Sequence, residues 1–132
     1  MDSLTTELML LGWGVVLLFV QIGLQGQLAT RERGTGWNAG PRDGDVKPLG
    51  LYAGRAERAL KNFQETFPTY AALALGLAVT GRSGGIGEIG AWLWFVARIA
   101  YIPLYLFGVP YVRSLVWLAS ALGLVLMLIR FF

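Results

Sequence analysis

The chain of 132 residues is 55% hydrophobic and only 14% charged, an apolar share above that of ordinary globular domains, which indicates a single integral membrane domain. It has neither cysteine nor histidine, which excludes disulfides, thiolate or imidazole metal ligands, and the Cys-His and Ser-His nucleophile systems. The net charge of +3 is small, so we expect no nucleic acid partner. The basic residues of the chain lie beside apolar stretches and instead indicate how the chain is oriented in the membrane.

The first predicted membrane span covers about residues 8–28. No charged residue occurs between Glu7 and Arg31, and the stretch is long enough to cross ~30 Å of hydrocarbon at ~1.5 Å per residue. A cleaved signal peptide is the alternative, but Asp2 and Glu7 precede the apolar run, where a signal peptide carries basic residues. We therefore expect a retained membrane helix.

Residues 29–50 are predicted to form a cytoplasmic loop. The part from 32 to 50 holds five glycines and two prolines without helical or alternating periodicity, so we expect no helix or strand in it. Loops of this length usually carry function or are disordered. The loop carboxylates Asp43 and Asp45 are candidates for proton transfer.

The second predicted span, about residues 51–80, begins with polar turns. Its uncharged part after Glu65 is only about 16 residues, short of the ~20 that a spanning helix needs. Its polar turns must therefore lie at the lipid headgroups or inside a protein interior. Pro68 is predicted to kink this helix, because proline removes one helical hydrogen bond and crowds the preceding turn.

The third and fourth predicted spans cover about residues 89–107 and 112–131. The connections are short, so the predicted fold is all-α, an up-down four-helix membrane bundle in one domain of residues 1–132. Eight basic residues flank the loops after spans one and three, whereas two lie on the other side, which predicts that those loops are cytoplasmic and both termini are outside. The eight are Arg31, Arg33, Arg42, Lys47, Arg55, Arg58, Lys61 and Arg113.

Polar residues form one stripe on the second predicted span. At about 100° per residue, five of them fall within an arc of about 120°. Basic side chains there can simply reach the lipid headgroups, which is the alternative for Arg55 and Lys61. Glu65 lies further along the span than Arg55 and Lys61, towards the middle of the bilayer. Placing an unpaired ionisable group in lipid costs ~2.5 kcal/mol or more, so we expect Glu65 to face a cavity or a partner. The stripe consists of Arg55, Arg58, Lys61, Asn62 and Glu65.

Arg98 is the single charge inside the third span. Glu65 is the only acidic residue placed to meet it, so the two form a structural ion pair, or both serve a ligand, and the two roles are compatible. Tyr101 and Tyr105 share a helix face with Arg98, because the spacings are three and four residues.

Arg113 and Ser114 open the fourth span at the predicted cytoplasmic surface. Alone, Arg113 would be an ordinary positive-inside anchor. Beside the stripe, however, it completes a polar pocket with several cations, one carboxylate, tyrosine hydroxyls and a serine. Such a pocket suits a small anionic zwitterion, because basic groups pair with carboxylates, Glu65 pairs with an ammonium, and Arg113 with Ser114 stabilises a developing anion.

Two motifs resemble the MAPEG family, the membrane-associated proteins of eicosanoid and glutathione metabolism. The pattern R-x-x-R-A-x-x-N-x-x-E-x-x-P, from Arg55 to Pro68, resembles the signature of the family's second helix, and ARIAYIPLYLFGVPYVRS resembles the segment from helix three to helix four in the prostaglandin E synthase branch. The resemblance implies a homotrimer of four-helix subunits in the membrane lipid, with glutathione bound between neighbouring subunits near the cytoplasmic side.

The resemblance also implies residue roles. Arg113 corresponds to the arginine that stabilises the glutathione thiolate, and Ser114 to the adjacent serine; these two are the predicted catalytic residues, and no metal site is predicted. Tyr101 stands where the prostaglandin branch has a histidine, and Trp117 stands where it has a tyrosine, so prostaglandin isomerisation is not expected. The predicted glutathione-binding residues are Arg31, Arg58, Lys61, Asn62, Glu65, Arg98, Tyr101 and Tyr105.

The expected function is that of a glutathione-dependent transferase or peroxidase that acts on lipophilic electrophiles or hydroperoxides. A fixed positive charge at Arg113 would lower the pKa of the glutathione thiol, as neighbouring cations do for protein cysteines. The alternative is a non-catalytic membrane protein of the same fold that binds a lipid or a protein partner. A bacterial inner membrane is the expected location, from the resemblance and the charge bias.

Overall fold

The computed structural model describes residues 4–41 and 48–132, and all regular structure in these residues is helical. This confirms the predicted all-α class. Four long helices and one short helix follow each other in chain order. They are α1 (Thr6–Arg33), α2 (Thr35–Ala39), α3 (Leu51–Val79), α4 (Ile86–Leu106) and α5 (Val112–Ile129).

The prediction that residues 32–50 contain no helix is wrong. Helix α1 continues to Arg33 and ends at Gly34, whose φ of 89° is a conformation that glycine adopts readily, and α2 follows at once. A helix of five residues is too short to produce the apolar periodicity from which helices are predicted. Asp43 and Asp45, the candidates for proton transfer, lie outside the described residues.

Three helices in the described part of the chain are long and apolar enough to cross a membrane: α1, α4 and α5. Helix α3 is as long as α1, but its first half carries the polar stripe, and it does not qualify by composition. It continues through Pro68 as one helix. The structure therefore agrees with a membrane protein in which the first half of α3 carries its polar groups at the protein surface.

The core is built around Trp94 of α4, which is fully buried. Its ring stacks on Tyr70 of α3 with the ring centroids 4.0 Å apart, and on Phe67 at 5.9 Å. Gly14 makes room for α3 against α1, because a Cβ there would come within 2.7 Å of the Phe67 ring. Helix α5 packs chiefly on α4 and contacts α3 little.

The α3–α4 turn is fastened to the beginning of α1. Glu7 is buried, its carboxylate accepts a hydrogen bond from the Gly84 backbone N–H at 2.8 Å, and its backbone carbonyl accepts one from the Tyr70 hydroxyl at 2.7 Å. Thr6 donates a further bond to the Glu88 carboxylate at 3.2 Å. At the opposite end the beginning of α3, the end of α4 and the beginning of α5 meet, and side chains of α3 form hydrogen bonds with both of the other helices.

Candidate functional site

A cavity of about 600 Å³ lies between the first half of α3, the end of α4 and the beginning of α5. Its volume is in the range of pockets that hold small organic ligands, about 300–1,000 Å³. Ten residues line it, of which eight are predicted site residues and two, Trp117 and Leu118, are not. The lining consists of Arg58, Lys61, Asn62, Glu65, Tyr101, Tyr105, Arg113, Ser114, Trp117 and Leu118.

Tyr105 connects two of the cations in this cavity. The Arg58 Nε donates a hydrogen bond to the Tyr105 hydroxyl at 3.3 Å. The guanidinium of Arg113 lies over the Tyr105 ring, with Cζ 4.7 Å from the ring centroid, which is a favourable cation–π distance. One residue of α4 therefore orients an arginine of α3 and an arginine of α5 towards the same space.

Asn62 connects the cavity to the buried Arg98 and to Trp117. Its side-chain Oδ1 accepts two hydrogen bonds, one from Arg98 Nη1 at 2.8 Å and one from Trp117 Nε1 at 3.1 Å. Arg98 is 1% exposed, and its guanidinium also lies over the rings of Tyr101 at 4.5 Å and Phe63 at 5.5 Å. The amide oxygen of Asn62 is thus occupied by protein donors, whereas its amide nitrogen remains a donor for other groups.

The family model for the MAPEG family matches residues 10–132, which is nearly the whole chain. The chain belongs to the MAPEG family. This confirms the resemblance seen in the two motifs, and it supports a membrane protein. None of the curated proteins and none of the solved structures matches the chain. The MAPEG family includes glutathione transferases and peroxidases, but it also includes members without enzymatic activity.

The predicted ion pair between Glu65 and Arg98 of this MAPEG chain is wrong. Within residues 48–132, Arg98 makes its side-chain hydrogen bond to Asn62 and forms no ion pair with Glu65. The physical reason is depth: Arg98 is buried behind the cavity, whereas Glu65 is exposed and would have to lose its hydration to reach it. Glu65 keeps its carboxylate facing the cavity, where a ligand can reach it.

Lys61 has a partner of its own at the rim of the cavity. Its Nζ lies 3.4 Å from the Glu57 carboxylate, one helical turn earlier, and both side chains are well exposed. Exposed pairs of this spacing are worth only ~0.3–0.5 kcal/mol. Lys61 can therefore leave Glu57 for an anionic ligand at little cost.

Arg55 and Arg31 do not line the cavity. Arg55 Nη1 donates to the backbone carbonyl of Leu106 at 3.0 Å, and the guanidinium lies against Gly108 in the turn after α4. A cation at a helix C-terminus satisfies free carbonyls and stabilises the helix dipole, so Arg55 supports the end of α4 that carries Tyr105. Arg31 is exposed in the last turn of α1.

Arg113 and Ser114 lie in the first turn of α5. The residue before this helix, Tyr111, has a positive φ of 59° and makes no side-chain capping bond. The first backbone N–H groups of α5 and the positive end of its dipole are thus on the same side of the protein as the Arg113 guanidinium. Helix N-termini attract anions, so the dipole adds to the effect of Arg113.

Of the two lining residues of this MAPEG cavity that the sequence did not predict, Trp117 makes a hydrogen bond within the site. The signal was its position, three residues after Ser114 and four after Arg113, which places all three on one face of a helix. In the sequence, Trp117 stands out only because it replaces a tyrosine of the prostaglandin branch. In the structure its indole N–H contacts Asn62 and its ring lines the cavity.

Proposed function

We propose that this MAPEG protein is a glutathione-dependent membrane transferase or peroxidase, with lipophilic electrophiles or hydroperoxides as its substrates. The observation that carries the proposal is the joint lining of one cavity by three cations and a single carboxylate. These are Arg58, Lys61 and Arg113 together with Glu65. Their charges are complementary to a small molecule with several anionic groups and one cationic group.

Glutathione has two carboxylates, one ammonium group and one thiol, and the residues of the cavity fit these groups. Arg58 and Lys61 would pair with carboxylates, and Glu65 would pair with the ammonium group. Asn62 would donate from its amide nitrogen, since its oxygen is bonded to Arg98 and Trp117. Tyr105 would keep Arg58 in position while its ring contacts the peptide.

Arg113 is the residue that we assign to the chemistry. A fixed cation beside a thiol favours the thiolate, and the N-terminus of α5 and the Ser114 hydroxyl would act in the same direction. When bound, glutathione would supply the sulfur nucleophile that joins an electrophilic carbon or reduces a hydroperoxide. Arg113 and Ser114 would hold that sulfur as an anion, and the apolar surroundings of α5 would admit the second substrate from the lipid.

The membrane arrangement is part of the proposal. The cavity lies at the end of the protein to which α1 brings Arg31 and Arg33, so the cytoplasmic side of a bacterial inner membrane is its expected location. A homotrimer would enclose the polar half of α3 away from lipid. It would also allow Arg31 of a second copy to reach a cavity that Arg31 does not line within one chain.

Calorimetry of glutathione binding to the detergent-solubilised protein tests the proposal. We expect saturable binding by the parent protein, and loss of at least tenfold in affinity in Arg58→Ala and in Glu65→Gln, since charge-assisted hydrogen bonds contribute ~1.5–3 kcal/mol each. Arg82→Ala is the matched control, because Arg82 is an exposed arginine at the opposite end of the protein.

Turnover of chlorodinitrobenzene and of cumene hydroperoxide then separates the proposal from its alternative. Binding of glutathione without consumption of either compound, in a folded sample, would support a non-catalytic MAPEG protein that binds a lipid or a protein. No glutathione binding in a folded sample would overturn the assignment of the cavity. In that case the polar face of α3 would have only a structural role.

A further inference from the structure

The end of α4 is held firmly where the chain turns towards α5. Gly108 follows the helix with a φ of 66°, and its N–H donates to the Tyr105 carbonyl at 3.1 Å. The next N–H, of Val109, donates to the Leu104 carbonyl at 3.0 Å, which completes a Schellman motif. The guanidinium of Arg55 lies against Gly108 from the side of α3. The first half of the connection therefore fixes the end of the helix that carries Tyr105.

The second half of the connection is strained at Tyr111. Its backbone angles are φ 59° and ψ −56°, and the Val112 N–H donates to the Pro110 carbonyl at 2.6 Å across it. This is a γ-turn with positive φ, a rare and strained conformation for a residue with a Cβ. The Tyr111 side chain is 82% exposed, so its contacts do not offset the strain. Such residues cluster at active sites and switches, and this one lies two residues before Arg113.

The turn at Tyr111 sets where α5 begins and thereby where Arg113 lies. Arg113 is the second residue of α5, and its guanidinium Cζ lies 4.7 Å from the centroid of the Tyr105 ring. Within the described residues, 4–41 and 48–132, that ring is the only ring, hydrogen-bond or ion-pair partner of the Arg113 side chain. The place of Arg113 in the polar cavity thus depends on one cation–π contact and on the direction of the chain after Tyr111.

The beginning of α5 packs loosely on the other helices. None of its residues before Ser120 is buried, and Trp117, which donates to Asn62 at 3.1 Å, is its hydrogen-bonded tie to α3. Farther along, the backbones of α5 and α4 touch, because a Cβ at Gly123 would come within 2.5 Å of the Gly90 carbonyl oxygen. Helix α5 is therefore fixed to α4 from Ser120 onwards, whereas its first turn is free to change direction at the strained residue.

We propose that Tyr111 is a positioning residue for Arg113 and that its turn is a hinge between two states. In the closed state, which the structure shows, Tyr111 is strained and Arg113 lies over Tyr105 at the cavity. In the open state Tyr111 adopts a negative φ, and Arg113 leaves the ring. The cost of a strained residue and the gain from one cation–π contact are of the same order, so both states are populated without a ligand.

Glutathione would shift this equilibrium, and on this point the inference rests on the proposed function. Arg113 faces the sulfur of the ligand only in the closed state, so an anion at that position favours the closed state by its differential affinity. The apparent affinity for glutathione is lowered by the fraction of protein that is open. A substitution that relieves the strain at Tyr111 should therefore tighten binding, although it removes a side chain.

Calorimetry of glutathione binding to the detergent-solubilised protein gives the first test. Glycine adopts positive φ readily, so Tyr111→Gly should bind glutathione more tightly than the parent, by about threefold or more. A β-branched residue tolerates positive φ poorly, so Tyr111→Val should bind more weakly, again by about threefold or more. Phe107→Gly is the matched control, because Phe107 is an exposed aromatic residue of the same connection with a φ of −88°. We expect no gain in affinity there.

The unfolding midpoint in detergent separates positioning from a merely structural role. If the turn serves only the fold, Tyr111→Gly will raise the midpoint and leave the affinity for glutathione unchanged. That result would overturn the inference, and so would equal gains in affinity in Tyr111→Gly and Phe107→Gly.

Distances between spin labels test the hinge independently of turnover. The chain has no cysteine, so labels can be attached through maleimides to Leu51→Cys of α3 and Leu115→Cys of α5, both exposed positions. Coexpression with an excess of the cysteine-free chain keeps one labelled chain in each assembly. We expect two distances without ligand, and one distance with glutathione sulfonate, in which a permanent anion replaces the thiol. Tyr111→Gly should favour that same distance without ligand.

The outcomes distinguish the hinge from the proposed function. If neither glutathione nor its sulfonate binds but Tyr111→Gly still shifts the two populations, the proposed function fails and the hinge remains. A single distance in all samples, or populations that Tyr111→Gly leaves unchanged, would refute the hinge, and binding of glutathione in the same samples would leave the proposed function in place.

Discussion

Arg113 of α5 lies over the ring of Tyr105 of α4, with the guanidinium Cζ 4.7 Å from the ring centroid. The hydroxyl of the same tyrosine accepts a hydrogen bond from Arg58 of α3 at 3.3 Å. The ring and the hydroxyl of Tyr105 thus have separate tasks: the ring orients the arginine assigned to the thiolate, and the hydroxyl orients an arginine assigned to a carboxylate.

Two substitutions at Tyr105 should separate these tasks. Tyr105→Phe keeps the ring under Arg113, so we expect the thiolate absorbance of bound glutathione to persist while affinity falls a few-fold through the loss of the Arg58 contact. Tyr105→Leu removes the ring as well, and a cation–π contact worth ~0.5–2 kcal/mol is lost with it. Calorimetry and stopped-flow ultraviolet absorbance measure the two effects. Identical results for Phe and Leu would show that the ring has no part in orienting Arg113.

Arg113 should control the ionisation of bound glutathione more than its affinity. In Arg113→Ala the positive charge is gone, so the pKa of the bound thiol should rise, and the pH at which half of it is ionised should move upwards by one unit or more, equivalent to ~1.4 kcal/mol per unit. Arg113→Lys, which keeps the charge without the planar fork, should fall between the two. Absorbance titration of the complex measures the midpoint. A midpoint that is the same in parent and Arg113→Ala would remove Arg113 from the mechanism.

The lining of the cavity could be predicted from the sequence because helical geometry places residues without reference to tertiary contacts. Spacings of three and four residues put Arg58, Lys61, Asn62 and Glu65 on one face, and the charge pattern predicts that this face lies towards the cytoplasmic side. Family resemblance then added Arg113 and Ser114, which the structure brings to the same cavity.

The partner of Arg98 could not be predicted in the same way. Asn62 and Glu65 lie one turn apart on the same helix face. Which of the two bonds to Arg98 depends on how deeply each side chain is buried, and the spacing of residues along the sequence does not give that burial. The short helix α2 was missed because five residues carry no periodic signal. Trp117 was missed as a lining residue of the cavity because an aromatic residue in an apolar helix looks the same whether it lines a cavity or faces lipid.

Asn62 should be important for stability through its hydrogen bond to the buried Arg98. Asn62→Ala leaves the Arg98 guanidinium without its side-chain partner, and a lost hydrogen bond to a buried charge costs ~1.5–3 kcal/mol, so the midpoint of thermal unfolding in detergent should fall. The double variant Asn62→Ala/Arg98→Met should recover part of this loss, because it removes the unpaired charge. Trp117→Phe is the control, because it removes the hydrogen bond from Trp117 to Asn62 and leaves the one from Arg98. Equal stability of parent and Asn62→Ala would show that the network does not stabilise the fold.

Arg31 should act on the cavity of a neighbouring subunit, if the proposed homotrimer is correct. Arg31 does not line the cavity of its own chain, whereas Arg113 does, so we expect both Arg31→Ala and Arg113→Ala to reduce turnover of chlorodinitrobenzene severely. Coexpression of the two variants with different affinity tags gives mixed assemblies, which two successive purifications isolate.

In the mixed assemblies some sites combine Arg31 of one subunit with Arg113 of the next. A head-to-tail trimer that contains both variants has one interface of the right order, so about one third of its sites are intact and activity should recover to about that fraction of the parent. Purified variants mixed without subunit exchange are the control and should stay inactive. If coexpressed assemblies also stay inactive while each variant still binds glutathione, then Arg31 and Arg113 do not complete a site between subunits.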